Sequence, residues 1–153
     1  MDNNTLLKTL AKIKQEADKR SIDFWVMGGL AYAFHVGRIY REHSDLDLIV
    51  RKPEDHENFC NLLTSLGFSK IKKKQLTENL TNSVFADKNN VEVDIGPFIG
   101  EFGMTLDDFE EEERELEGTK CKVLSKRFLQ AFKEYLITQR SNEKDLIDIY
   151  YLK

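Results

Sequence analysis

Arg41-Glu42-His43-Ser44-Asp45-Leu46-Asp47-Leu48-Ile49-Val50, with the glycine pair Gly28-Gly29 upstream, is the stretch that decides the fold. Leu46, Leu48 and Val50 alternate with the other positions, which is the signature of a β-strand with one buried face. Side chains at i and i+2 of a strand share a face and sit roughly 6.5–7 Å apart along it. Asp45 and Asp47 therefore point one way while the leucines and the valine enter the core. Two like charges held on one face repel unless something positive sits between them. A divalent, oxygen-seeking cation is the usual answer.

A second segment repeats this pattern. In Val91-Glu92-Val93-Asp94-Ile95 the apolar residues face one way and Glu92 and Asp94 the other. If the two strands are sheet neighbours, Asp45, Asp47 and Asp94 converge on one or two Mg²⁺ ions. Two such ions can hold both the attacking and the leaving oxygen of an in-line phosphoryl or nucleotidyl displacement. Glu92 shares the face of Asp94 and is an alternative ligand or base; as a solvated carboxylate at a strand edge it needs no such role.

The glycine pair suits phosphate. A tight turn between strand and helix lets backbone N–H groups approach phosphate oxygens without a side chain intervening. Arg41 and His43, just before the carboxylates, are candidates to neutralise or orient those oxygens. The turn is no Walker loop, because no Gly-Lys-Ser/Thr follows, and it lacks the three-glycine dinucleotide fingerprint.

Outward from this centre the elements read in order. Thr5 to Arg20 carries Leu6, Leu7, Leu10, Ile13 and Ala17 at helical spacing. Ile22 to Met27 reads as a buried strand, and Leu30 to Val36 as a short helix ended by Gly37. Pro53 opens a helix whose stripe is Phe59, Leu62, Leu63 and Leu66, stopped by Gly67. Phe68 to Lys74 and Ser83 to Asp87 read as strands, the first an edge strand guarded by its lysines. Gly96-Pro97 breaks the Val91–Ile95 strand. Leu106 to Glu117 reads as a short helix running into a strand, with Glu110 to Glu113 as a solvated helix face. Lys120 to Leu124 is a strand, Ser125 an N-cap, and a last helix starts near Asn142. Lys144 on that helix is placed to reach nucleotide phosphates or to pair with Asp148 one turn on. His35 reads as a packing or surface histidine, His56 as exposed, and Trp25 as core.

The expected fold is α/β (α+β): a small mixed sheet flanked by helices in one domain over residues 1–153, with a helical C-terminal lobe from about residue 125. Of the 153 residues 41% are hydrophobic and 33% charged, the balance of a soluble globular chain. With 23 basic and 27 acidic residues the net charge is −4, which argues against a duplex nucleic-acid binder. Cys60 and Cys121 have no metal-type spacing and read as buried thiols of a reducing compartment. No apolar stretch is long enough for a membrane span or signal peptide, so a cytoplasmic location is expected.

In this order the motifs resemble the nucleotidyltransferase superfamily with the DNA-polymerase-β-like fold. Trp25-Val26-Met27-Gly28-Gly29 and Gly37-Arg38-Ile39-Tyr40-Arg41-Glu42-His43-Ser44-Asp45-Leu46-Asp47 look most like the small enzymes that modify lincosamides and aminoglycosides. Asp94 followed by Pro97 is similar to their third-carboxylate segment. Val123-Leu124-Ser125 and Lys144-Asp145-Leu146-Ile147-Asp148 look like their closing helices. The resemblance implies a Mg²⁺-dependent transfer of a nucleoside monophosphate from a nucleoside triphosphate to a hydroxyl-bearing small molecule. Asp45, Asp47 and Asp94 would then be the metal-binding and catalytic residues, and Gly28, Gly29 and Ser44 would line the triphosphate. Leu30 departs from the tryptophan usual after the glycine pair in the antibiotic enzymes. Relatives that act on RNA or a partner protein share the core motif, and a non-catalytic domain of the same shape is a third reading. A homodimer, with the second copy completing the acceptor pocket, is also compatible with so short a chain.

Overall fold

The computed structural model describes residues 2–71, 82–98, 100 and 103–152. Among these residues five α-helices and seven strands follow one another as α1 (Asn3–Lys19), β1 (Trp25–Met27), α2 (Gly28–Val36), β2 (Asp45–Val50), α3 (Pro53–Ser65), β3 (Ser69–Ile71), β4 (Ser83–Ala86), β5 (Glu92–Pro97), β6 (Phe109–Leu116), β7 (Thr119–Leu124), α4 (Lys126–Gln139) and α5 (Glu143–Leu152). The strands form one mixed sheet in the order β3-β4-β5-β2-β1-β7-β6. At its centre β2 runs antiparallel to β1 and parallel to β5. None of the described helices is long and apolar enough to cross a membrane.

Each local expectation has a physical outcome in the structure. α1 begins where the Asp2 carboxylate accepts the Thr5 amide, and it buries Leu6, Leu7, Leu10, Ile13 and Ala17. Pro53 occupies the first turn of α3, where a missing N–H costs nothing, and Phe59, Leu62 and Leu63 are buried. α1 and α3 pack on each other and against the sheet. They cover Leu46, Leu48 and Val50 of β2 and Val93 and Ile95 of β5 in one apolar core. Each such fully buried aliphatic or phenyl side chain contributes roughly 1.5–3 kcal/mol. α2 ends at Gly37, whose φ of +89° closes the helix in the left-handed region. Ser125 caps α4 by accepting the Phe128 amide.

Several expectations are corrected. The acidic run Glu110–Glu113 lies on strand β6, not on a helix; only Leu106–Asp108 forms a 3-10 turn before it. Pairing with β7 decides this: Arg114 faces Cys121 and Leu116 faces Thr119. Within that run Glu111 binds both Arg51 and Lys122. Gly96 does not end the strand but lies inside β5, paired with Ile49. The edge strand β3 covers Ser69–Ile71 with Lys70 exposed, while Lys72, Lys73 and Lys74 lie outside the described residues. His56 is half-buried. His35 packs, its Nε2 lying 2.8 Å from the Leu124 carbonyl. Trp25 is fully buried and donates from Nε1 to the Glu110 carbonyl at 2.7 Å.

Candidate active site

The parallel pairing of β2 with β5 sets the register of the acidic residues. Asp45 stands opposite Glu92, and Asp47 opposite Asp94. Side chains alternate along each strand, so all four carboxylates share one face of the sheet. Neighbouring strands lie about 4.8 Å apart. At about 5 Å two unit charges repel by roughly 3 kcal/mol at an effective dielectric of 20. Of these carboxylates, Asp45, Asp47 and Asp94 line a cleft of about 770 Å³.

Glycines bring the surroundings in close. Gly28 has φ +67°, and a Cβ there would lie 2.1 Å from Asp47 Oδ2, so only glycine lets the turn rest on that carboxylate. A Cβ on Gly29 would meet Arg41 Nη2 at 2.4 Å and His43 Nδ1 at 3.1 Å. α2 starts at Gly28 with no side-chain cap on its first amides, and the turn lines the cleft. Uncapped N–H groups at a helix start suit an anion. On the other side Asn82 donates to Asp94 Oδ1 at 2.8 Å, in space that Gly96 leaves open. Asn82 drew no attention in the sequence, and Gly96 only as a strand breaker, because the contact between them joins separate segments of the chain.

The expected phosphate-facing cations are arranged differently. Arg41 is committed: its Nε and Nη2 each donate to Asp148 at 2.8 Å, and Nη1 donates to the Glu42 carbonyl. The fork is thus held by a buried carboxylate and is no free charge beside the acidic row. His43 is buried, and burial followed by the nearby Arg41 charge pushes its pKa down to about 4. Its Nε2 is buried with no hydrogen-bond partner among the described residues. Ser44 is exposed on the cleft wall, as is Lys144. The expected Lys144–Asp148 pair gives way to another, because Asp148 faces inward to Arg41, Tyr40 and Lys133.

Sequence reasoning missed that inner network. Asp145 and Asp148 are fully buried on α5. Lys133 of α4 binds both at 2.9 Å, and Arg140 binds Asp145. Burial raises both carboxyl pKa values, but the hydrogen bonds from Arg41 and Lys133 to Asp148, and from Arg140 and Lys133 to Asp145, outweigh it and hold both below the usual range. In the fold α5 exposes Leu146 and Tyr150 while burying two aspartates. An inverted pattern of that kind marks a helix that docks on charged partners.

Among the described residues no group of three or more His, Cys, Asp or Glu side chains is already gathered into a metal site. The carboxylates stand side by side as separate hard oxygen donors at an open cleft. That donor set fits Mg²⁺, which takes one or two carboxylates together with substrate phosphates and water in preference to an all-protein cage.

Residues 9–151 match the sequence model of the aminoglycoside-2''-adenylyltransferase family. The fold is similar to that of ANT(2'')-Ia in complex with adenylyl-2''-tobramycin, with 18% identity, a TM-score of 0.79, and coverage of 97% of this chain and 87% of that one. It is also similar to the lincosamide antibiotic adenylyltransferase LnuA with lincomycin bound, at 19% identity, TM-score 0.67, and 95% and 94% coverage. An antigenic nucleotidyltransferase-like protein from Paracoccidioides brasiliensis matches at 19% identity, TM-score 0.62, and 99% and 77% coverage. Comparison with curated proteins gives no match.

Proposed function

The chain belongs to the aminoglycoside-2''-adenylyltransferase family, and from that membership we propose that it transfers a nucleoside monophosphate from a nucleoside triphosphate to a hydroxyl of a small-molecule acceptor, with Mg²⁺. ATP is the co-substrate favoured by the family's name, and an aminoglycoside or lincosamide antibiotic is the acceptor class favoured by the family and by LnuA. The single observation that carries the reading is the register of Asp47 against Asp94, with Gly28 resting on Asp47.

In this reading Asp45, Asp47 and Asp94 would hold the magnesium. Bound there, it would supply Lewis-acid stabilisation of the charge that develops on the phosphoryl oxygens. The chain's own groups do the rest. Backbone N–H groups of Gly28 and Gly29, with the Ser44 hydroxyl, hold the triphosphate at the start of α2. Lys144, exposed at the cleft, supplies a mobile positive charge near the departing pyrophosphate. Asp94 takes the proton of the acceptor hydroxyl, with Glu92 two residues away on the same face as the alternative base. The acceptor oxygen forms its bond to the α-phosphorus, and the bond to the β-phosphate oxygen breaks with its electron pair. Pyrophosphate leaves. Asn82 fixes the rotamer of Asp94 by donating to one of its oxygens.

Incubation with labelled ATP, GTP, CTP and UTP, Mg²⁺, and a panel of aminoglycosides, lincosamides, RNA and protein tests this. Label on a small acceptor, with pyrophosphate released in equal amount, is the expected result. Label on RNA or protein overturns the acceptor class, and absence of nucleotide binding with every base overturns the activity.

A further inference from the structure

We propose that Asp148, near the end of the chain, is a positioning residue for the transfer described above, acting through Arg41 on the glycine turn and on the segment entering Asp45. The inference rests on that reading of the site. Asp148 is fully buried, receives three hydrogen bonds, two from Arg41 at 2.8 Å and one from the Tyr40 hydroxyl at 2.7 Å, and forms an ion pair with Lys133 at 2.9 Å. A two-point bond between a guanidinium and a carboxylate fixes orientation as well as distance.

Arg41 carries that orientation into the site by three routes. Its Nη2 fills the space directly against Gly29. Nη1 donates to the carbonyl of Glu42 at 2.9 Å. Its own carbonyl accepts from Asn3 Nδ2 at 3.0 Å, and Asn3 Oδ1 accepts the amide of His43 at 3.0 Å. The main chain from Arg41 to His43 is thereby pinned two residues ahead of Asp45. α5 and α4 share the load, because Lys133 joins Asp148 to Asp145, and Asp145 holds Arg140. Charges buried this deeply stabilise a fold no better than well-packed apolar side chains would. What they add here is a fixed geometry linking the helical end of the chain to the turn that rests on Asp47.

The test compares D148N and R41K with D108N. Asp108 is a buried carboxylate bonded to Ser125 and Arg127, away from the cleft lining, and serves as the stability control. R41K keeps the positive charge while losing the two-point bond, so it carries the test if D148N fails to fold. Two readouts are taken: steady-state transfer, and amide hydrogen exchange of the protein alone. In D148N and R41K, kcat is expected to fall by about tenfold or more, the scale on which small misplacements act. KM for the nucleotide should change by less than about threefold. Exchange should quicken at Gly29–Ala31 and Glu42–Asp45 and stay unchanged at Leu46–Ile49. D108N should keep kcat and the local exchange pattern. An equal loss of kcat in D108N, or exchange that quickens uniformly across β2, overturns the proposal. Should the unmodified protein transfer nucleotide to no acceptor, the functional reading fails, and the exchange pattern still decides whether Asp148 orders the turn.

Discussion

Asp47 and Asp94 stand directly opposite each other on adjacent parallel strands, β2 and β5, far apart in sequence. Their repulsion is a cost built into the sheet. Gly28, whose missing side chain lets the turn rest on Asp47, and Asn82, which binds Asp94, frame the pair.

Replacing Asp47 by Asn removes one of two adjacent like charges from a half-buried position. Transfer activity should drop by about a thousandfold or more, the upper range for loss of a group that stabilises developing charge. Stability should stay within about 1 kcal/mol of the parent by urea denaturation. Loss of the fold in D47N would assign the residue a structural role.

Two glycine variants separate backbone strain from site crowding. Gly37→Ala meets open space at φ +89° and should cost only the left-handed penalty, about 1–2 kcal/mol, with kcat unchanged. Gly28→Ala, at φ +67°, also drives a methyl into Asp47 and should lose activity by about tenfold or more. Equal activity in the two variants would mean that the turn does not shape the carboxylate floor.

Lys133 is 5% exposed and faces two fully buried aspartates. Lys133→Met leaves Asp148 with Arg41 and Tyr40, and Asp145 with Arg140. Breaking a buried pair from one side costs about 3–5 kcal/mol. Chemical denaturation should show a loss in this range; a loss below about 1 kcal/mol, as for an exposed pair, would mean that the network is solvated.

The pH dependence follows from Asp148, whose folded pKa is held below the ordinary value of 3.8. A depressed folded pKa contributes stability that is complete above the unfolded pKa and is lost as pH falls through the folded one. The stability difference between the parent and D148N should therefore be constant from neutrality to about pH 5 and shrink below about pH 4. Urea midpoints measured at pH 7, 5, 4 and 3 check this. A difference that vanishes above pH 5 would refute the ion pairing of Asp148.

Local patterns in the sequence defined many of the pieces, though not β6, whose acidic run took its form from pairing with β7. The alternation of Leu46, Leu48 and Val50 gives β2 its bounds Asp45–Val50, Gly37 ends α2, and Ser125 caps α4, because strand alternation and capping depend only on near neighbours. What the sequence alone left conditional was whether β2 and β5 touch. An entire helix and two strands separate them, and only packing of α3 against both strands brings Asp94 beside Asp47. Tertiary structure alone also decided the fate of the charges. Arg41 and Lys144 look alike as cations in the sequence, yet one is locked onto Asp148 and the other is exposed at the cleft. Helical spacing says which residues of α5 share a face; which partners that face meets is set by the docking of α5 on α2 and α4, through contacts between residues remote along the chain.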